Sequence, residues 1–125
     1  MGRDHRELHV FHLADALVLD VYRVTALLLP EERHGLQAQI RRTAVSAAVN
    51  IVEGCARRTT RDYVHFMSIA RGSASETRYL LDLAVRLNIL EAPANEPIEP
   101  RYRELVRSLQ KLIDSLDPPP QGTNG

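Results

Sequence analysis

Four arginines in the middle of the chain have the charge and spacing to bind the phosphates of a nucleic acid: Arg41, Arg57, Arg58 and Arg61. The last three fall within five consecutive residues. Between positions 31 and 61, six arginines stand against three glutamates, a local excess of three positive charges. A guanidinium group forms paired hydrogen bonds with phosphate oxygens. We therefore regard these four arginines as candidate phosphate-binding residues; the alternative is that they are solvated and cap a helix.

A catalytic alternative uses one of the same arginines. Arg58 and His65 are separated by six residues, a spacing similar to the Arg-x(4–6)-His motif of HEPN ribonucleases, which are also helical bundles. In such enzymes the two side chains stabilise and protonate a phosphate that is being cleaved. We predict a non-enzymatic protein, with an RNA-cleaving bundle as the alternative.

Metal and cofactor chemistry has little support in the sequence. His5, His9 and His12 share one helical face, but no fourth ligand is evident. The single cysteine, Cys55, has no partner thiol, and the sequence indicates no base that would deprotonate it. We predict no metal site, no cofactor and no catalytic residue.

A polar stripe runs along the second predicted helix. Its members recur at steps of three and four residues and so line one face: Gln39, Arg42, Ser46, Asn50 and Glu53. The other faces are mostly alanine, valine and isoleucine: a core stripe runs through residues 36, 40, 44, 47, 51 and 55, and we expect Val45, Val49 and Val52 to widen it. A helix that is apolar nearly all round is buried on more than one side. The polar groups of the stripe must then find hydrogen-bond partners inside the bundle or across a subunit interface.

The third predicted helix carries small and charged residues that complement this stripe: Arg71, Gly72, Ser73, Ala74, Ser75 and Glu76. Small residues allow two helix backbones to approach closely. We expect an ion pair between the carboxylate of Glu53 or Glu76 and a guanidinium group. That guanidinium group belongs to Arg42 or Arg71. Gly54 is predicted to help end the second helix. Together these residues form a predicted structural or interface network.

Hydrophobic spacing defines the elements that position these residues. Apolar side chains recur at the helical period in four segments, at about 7–28, 32–56, 61–88 and 101–116. Pro30 is predicted to end the first helix. Thr59 or Thr60 is predicted to cap the third, with Asp62 completing a capping box. The fold class is all-α, an antiparallel up-down four-helix bundle. We predict one domain over 1–117 and a disordered tail over 118–125.

Composition excludes several classes of function. The chain has 125 residues, with 16 basic and 16 acidic side chains, so its formal net charge is zero. One cysteine excludes a disulfide framework, and aromatic residues at 5% argue against a base-stacking platform. No apolar run is free enough of charge to span a membrane, so we expect a cytoplasmic protein with no membrane partner.

A succession of short motifs resembles a known family. In order, they are Leu8–Phe11, Ala14, Leu17, Val21–Tyr22, Pro30–Arg33, Gly35–Leu36, Gln39–Arg42, Ala44–Ser46, Asn50–Gly54, Phe66, Ile69–Ser73 and Glu76. The chain resembles the four-helix-bundle family first met as proteins encoded in intervening sequences of bacterial 23S ribosomal RNA genes. The resemblance covers about residues 8–90.

The resemblance implies a quaternary state and a class of role. Members similar to this chain assemble as rings of five bundles, so a homopentamer is expected. Relatives include accessory proteins of retroelements, in which a basic ring engages nucleic acid and a reverse transcriptase. Those relatives are strongly basic, whereas this chain is neutral. We predict an oligomeric scaffold or nucleic-acid-associated adaptor, with RNA or DNA, or another protein, as its partner.

Overall fold

The computed structural model describes residues 3–120 of the chain. Four long helices account for most of them: α1 (His9–Thr25), α2 (Leu36–Cys55), α3 (Thr60–Arg86) and α5 (Glu99–Leu116). A one-turn helix, α4 (Ala92–Asn95), precedes α5, and two short 3-10 turns cover His5–Glu7 and Pro30–Glu32. Within the part of the chain that is described, no residue is in a β-strand.

The four long helices form an antiparallel bundle. Helix α2 packs between α1 and α3, and α5 closes the bundle by packing against α3 and α1. The direction of α2 and α3 is fixed by two contacts: Ser46 lies against Ser73, and Thr43 lies against Thr77. As the residue number rises on one helix it falls on the other, so the two run antiparallel. The predicted all-α four-helix bundle is confirmed.

A single core lies along the axis of this bundle. Each long helix contributes side chains that are almost completely removed from solvent, among them Leu17, Ile51, Met67 and Leu105. Burying one such side chain stabilises the fold by about 1.5–3 kcal/mol relative to leaving it exposed. This burial holds the helix ends, and therefore the joints between helices, in fixed positions.

Helix α1 ends three residues earlier than predicted. It stops at Thr25 rather than at Leu28, and Pro30 begins a 3-10 turn instead of ending the helix. The buried Thr25 hydroxyl donates to the Val21 carbonyl at 2.6 Å, and the chain then turns so that Leu28 is buried outside the helix. Helix α5 also differs, because it begins at Glu99 and includes Pro100 in its first turn, a position that tolerates proline.

The start of α3 follows the predicted capping pattern. The Thr59 hydroxyl accepts a hydrogen bond from the Asp62 backbone N–H at 3.1 Å. This satisfies one of the N–H groups that a helix leaves without an intrahelical partner in its first turn. Thr59 is therefore the cap, and the short joint of residues 56–59 connects α2 to α3.

The C-terminal segment leaves the bundle after α5. Residues 118–120 are exposed and have no regular secondary structure, and the rest of the predicted tail, 121–125, lies outside the described residues. Over residues 3–120, no helix combines the length and apolar character needed to cross a bilayer.

Candidate functional site

The joint between α2 and α3 carries three of the candidate arginines, and one of them is held in place. Arg57 donates to the Glu53 carboxylate at 2.6 Å, and its guanidinium carbon lies 4.7 Å from the centre of the Phe66 ring. An ion pair one helical turn apart and a cation–π contact both restrain the side chain. Arg57 is therefore partly committed to the bundle.

Arg58 and Arg61 differ from Arg57. Both side chains are exposed, and neither forms an ion pair within residues 3–120. Arg58 lies in the joint, and Arg61 lies in the first turn of α3. The first backbone N–H groups of a helix point outward, and the helix dipole places partial positive charge at this end. The two guanidinium groups therefore lie at the positive end of α3, with the exposed Asp62 carboxylate in the same turn.

Arg41 lies far from this joint and has another partner. Its sixteen-residue separation from Arg57 corresponds to about 24 Å at the rise of an α-helix. The Arg41 guanidinium donates to the Thr25 hydroxyl at 2.8 Å and to the Tyr22 carbonyl at 3.1 Å. It thereby satisfies acceptors at the C-terminal end of α1. The structure separates Arg41 from the other three candidates.

A small polar network joins the stripe on α2 to α3. The Ser46 and Ser73 hydroxyl oxygens lie 2.9 Å apart. The Asn50 side-chain amide donates to the Ser46 carbonyl at 2.8 Å and lies 3.1 Å from the Ser46 hydroxyl. All three residues are half-buried. The structure thus brings together the middle of the predicted stripe.

The ends of the predicted network do not meet as expected. The prediction that Glu53 or Glu76 pairs with Arg42 or Arg71 was wrong. Glu53 pairs with Arg57 instead, and Arg71 donates a hydrogen bond to Gln110 on α5. The reason is that Arg71 lies on the side of α3 that packs against α5. The other charged or amide members are exposed and make no side-chain hydrogen bond within residues 3–120: Gln39, Arg42 and Glu76.

The two glycines have different surroundings. Gly54 is buried inside the last turn of α2, not at its cap, which is Ala56. A Cβ atom at Gly54 would lie 2.6 Å from the Met67 methyl carbon and 3.0 Å from the Phe66 Cβ. Gly54 therefore permits the close approach of α3. Gly72 was expected to permit such an approach, but a Cβ atom there has nothing within 4 Å.

An exposed apolar surface flanks the polar network. Val49 is 48% exposed and Ile69 is 38% exposed, and each lies one turn from the Ser46–Ser73 contact. Val45 and Val52 on α2 are half-buried, and they share a side of that helix with Arg41, which contacts α1. Residues 45, 49 and 52 had been expected to widen the core stripe, but helical geometry turns them outward when residues 40, 44, 47 and 51 face the core. We call Val49 and Ile69, which flank the polar network, the α2/α3 face.

Most of the sequence matches one family model. The model describes the 23S rRNA-intervening sequence protein, and it matches residues 6–111. The chain belongs to the 23S rRNA-intervening sequence protein family. This match extends beyond the motifs that suggested the resemblance, because it includes most of α5.

A solved structure shares the fold of this family member. It is a protein of unknown function from the S23 ribosomal protein family of Bacteroides thetaiotaomicron, with a TM-score of 0.77 and 24% sequence identity. The alignment covers 83% of the present chain and 97% of the other. No curated protein matches the sequence.

The structure does not bring together the two residues of the ribonuclease-like motif. His65 is exposed on α3 and packs edge-to-face against Phe66, with the ring centres 5.4 Å apart. No hydrogen bond links it to Arg58 in the part of the chain described. Cys55 is buried, and burial raises the pKa of its thiol. A buried thiol that resists ionisation is a poor nucleophile.

One feature beside Arg61 was not predicted from the sequence. A cleft of about 400 Å³ lies between the start of α3 and the end of α5, and it is lined by Thr60, Arg61, Val64, Leu116 and Asp117. Its two walls are more than 50 residues apart in the chain. Only the packing of α5 against α3 brings them together, and no local spacing could have indicated it.

Proposed function

We propose that this family member is a non-enzymatic, nucleic-acid-associated adaptor that works as an assembly of several bundles. The observation that carries the proposal is the state of the arginines at the α2–α3 joint. Seven arginines of the chain, Arg57 of the joint among them, pair with carboxylates: Arg6, Arg23, Arg57, Arg78, Arg86, Arg101 and Arg103. Arg58 and Arg61 remain exposed beside the positive end of α3. Their guanidinium groups are available to phosphate oxygens.

The family supports nucleic acid as the partner. Its description refers to a protein of an intervening sequence in 23S ribosomal RNA, which associates the family with an RNA gene. Binding through two arginines is weak for one bundle, since each phosphate contact contributes a modest and salt-dependent term. A repeated joint in an assembly converts weak contacts into avidity.

The α2/α3 face supports self-association. Exposed valine and isoleucine side chains on neighbouring helices, with a polar network between them, are typical of a surface that another protein covers. We propose that the face packs against a second copy of the chain, and that the assembly is the ring of five that the family resemblance implies. The protein would then lie in the cytoplasm, where RNA is accessible and a lone thiol such as Cys55 stays reduced.

Binding, rather than catalysis, is the activity that the joint supports best. A second candidate, RNA cleavage by Arg58 and His65, has no contact between the two side chains to favour it. The third candidate is an adaptor for another protein, which would bind the α2/α3 face. A monomeric chain would favour this candidate.

Binding to nucleic acid at two salt concentrations tests the proposal. Fluorescence anisotropy with a labelled structured RNA and a matched DNA duplex would be measured at low and at physiological salt. We expect affinity that falls steeply with salt, because neutralised phosphates release counterions. Absence of binding at low salt contradicts the proposal. Loss of full-length RNA during the same incubation would instead favour the ribonuclease candidate.

A further inference from the structure

The cleft beside Arg61 has a chemical character distinct from the rest of the joint. Val64 and Leu116 provide apolar walls, and Leu116 is 37% exposed although it is a large hydrophobic residue. Thr60 and Asp117 provide a hydroxyl and a carboxylate. The volume of about 400 Å³ falls in the range of pockets that take small organic groups.

The charges around the cleft are arranged for a ligand that has both an anionic and an uncharged part. Arg61 is exposed at its edge and forms no ion pair with Asp117 or with any other carboxylate within residues 3–120. The guanidinium can therefore bind a phosphate. Asp117 repels phosphate but accepts hydrogen bonds from an uncharged donor such as an amino group.

We infer that this cleft holds one unstacked base of a single-stranded nucleic acid, and that it prefers cytosine over uracil. This inference rests on the proposed function, because Arg58 and Arg61 must first bring the phosphate backbone to the joint. The base lies between the aliphatic walls of Val64 and Leu116. Arg61 contacts the adjoining phosphate, and the Asp117 carboxylate accepts from the cytosine N4 amino group.

Single strands fit this cleft and duplexes do not. In a duplex the base is stacked and paired, and extracting it costs free energy. In a loop or an overhang the base is already free to leave the stack, and proteins then read its Watson–Crick edge. The carboxylate selects cytosine because uracil presents a carbonyl oxygen at the same position.

Assembly through the α2/α3 face leaves the cleft open. Helix α3 packs against α2 on one side and against α5 on the other. Ile69 lies on the side of α3 next to α2, the helix that carries Val49, whereas Leu116 and Asp117 lie at the end of α5. A neighbour on the first side does not occupy the second. Each bundle of an assembly can therefore present its own cleft.

The test compares three labelled RNA probes that share one hairpin: a blunt hairpin, the hairpin with a cytidine overhang, and the hairpin with a uridine overhang. We expect the cytidine overhang to bind about tenfold tighter than the blunt hairpin, which corresponds to about 1.4 kcal/mol. The uridine overhang should lie between the two. All affinities are measured by anisotropy at low and at physiological salt.

Two variants locate the base in the cleft. Leu116→Ser should abolish the preference for either overhang, because it removes an apolar wall. Asp117→Asn should keep the overhang preference and lose the discrimination between cytidine and uridine, since an amide both donates and accepts. Leu87→Ser is the matched control, because Leu87 is 54% exposed at the far end of α3. Circular dichroism verifies that each variant is folded.

The outcomes separate this inference from the proposed function. Equal, salt-dependent binding of all three probes overturns the cleft and leaves phosphate contact intact. An overhang preference that survives Leu116→Ser also overturns it, because the base must then bind elsewhere. No binding of any probe contradicts the proposed function, and the inference fails with it.

Discussion

Arg41 binds Tyr22 in two ways at once. Its guanidinium donates to the Tyr22 carbonyl at 3.1 Å, and its central carbon lies 4.3 Å from the centre of the Tyr22 ring. A third contact joins it to the hydroxyl of the buried Thr25. Arg41 of α2 thereby satisfies hydrogen-bond acceptors in the last turn of α1. In sequence Arg41 resembles the arginines of the α2–α3 joint, but in the structure it holds two helices together.

Replacing Arg41 should affect stability rather than nucleic-acid binding. Arg41→Ala removes hydrogen bonds from a charged donor to α1, and we expect it to lower the free energy of unfolding by about 1–3 kcal/mol. Arg42→Ala is the matched control, because Arg42 is exposed and makes no side-chain hydrogen bond within residues 3–120; its effect should stay within about 0.5 kcal/mol. Urea denaturation measures both. If Arg41→Ala weakens RNA binding and leaves stability unchanged, Arg41 binds phosphate.

The two helical glycines should respond oppositely to alanine. Alanine is favoured over glycine in a helix by about 1 kcal/mol, but at Gly54 the new Cβ overlaps the Met67 methyl group. Overpacking costs about 1–3 kcal/mol, so Gly54→Ala should lower the midpoint of urea denaturation. Gly72→Ala should raise it, because a Cβ there meets open space. A stabilising Gly54→Ala would show that α2 and α3 are packed less closely than the structure indicates.

The α2/α3 face should control assembly. Val49→Glu places a carboxylate on this face, where desolvating an unpaired charge is costly, so we expect the variant to be monomeric by multi-angle light scattering. The matched control is Leu19→Glu on α1, because Leu19 is even more exposed, at 60%. We expect Leu19→Glu to assemble like the unaltered chain. A monomeric unaltered chain at micromolar concentration contradicts self-association.

The bundle and one cap were predictable from the sequence because they depend on local spacing. The helical period of the apolar residues predicted the four long helices, and the spacing of Thr59 and Asp62 predicted the start of α3. The outward direction of Val49 was missed because an all-apolar helix leaves its buried side undetermined until its neighbours are placed. Likewise, Arg71 meets Gln110 only through the packing of α5 against α3. The cleft beside Arg61 depends on the same packing, so the contribution of Leu116 and Asp117 to it was not predictable.

Acid should weaken the link between α3 and α5. The hydrogen bond from Arg103 and the nearby Arg78 guanidinium lower the pKa of the Glu99 carboxyl below its usual value. A lowered folded-state pKa means that the stabilisation is fully present above the unfolded-state pKa and is lost as the pH falls through the folded-state value. Glu99→Gln should therefore be less stable than the unaltered chain at neutral pH.

That difference in stability should shrink as the pH is lowered below about 4.5. Glu76→Gln serves as the control, because Glu76 is exposed and forms no ion pair within residues 3–120. Thermal unfolding across this pH range measures the effect. A Glu99→Gln variant whose deficit is independent of pH would show that the ion pairs of Glu99 do not stabilise the bundle.

The most direct test of the account is charge reversal at the α2–α3 joint. The double variant Arg58→Glu, Arg61→Glu is compared with Arg33→Glu, an exposed arginine near the opposite end of α2. The measurement is the salt dependence of RNA affinity by anisotropy, with light scattering to verify assembly. We predict that the double variant stays assembled and loses binding at low salt, whereas Arg33→Glu retains most of its affinity. An unchanged affinity and salt slope in the double variant would contradict phosphate binding at the joint.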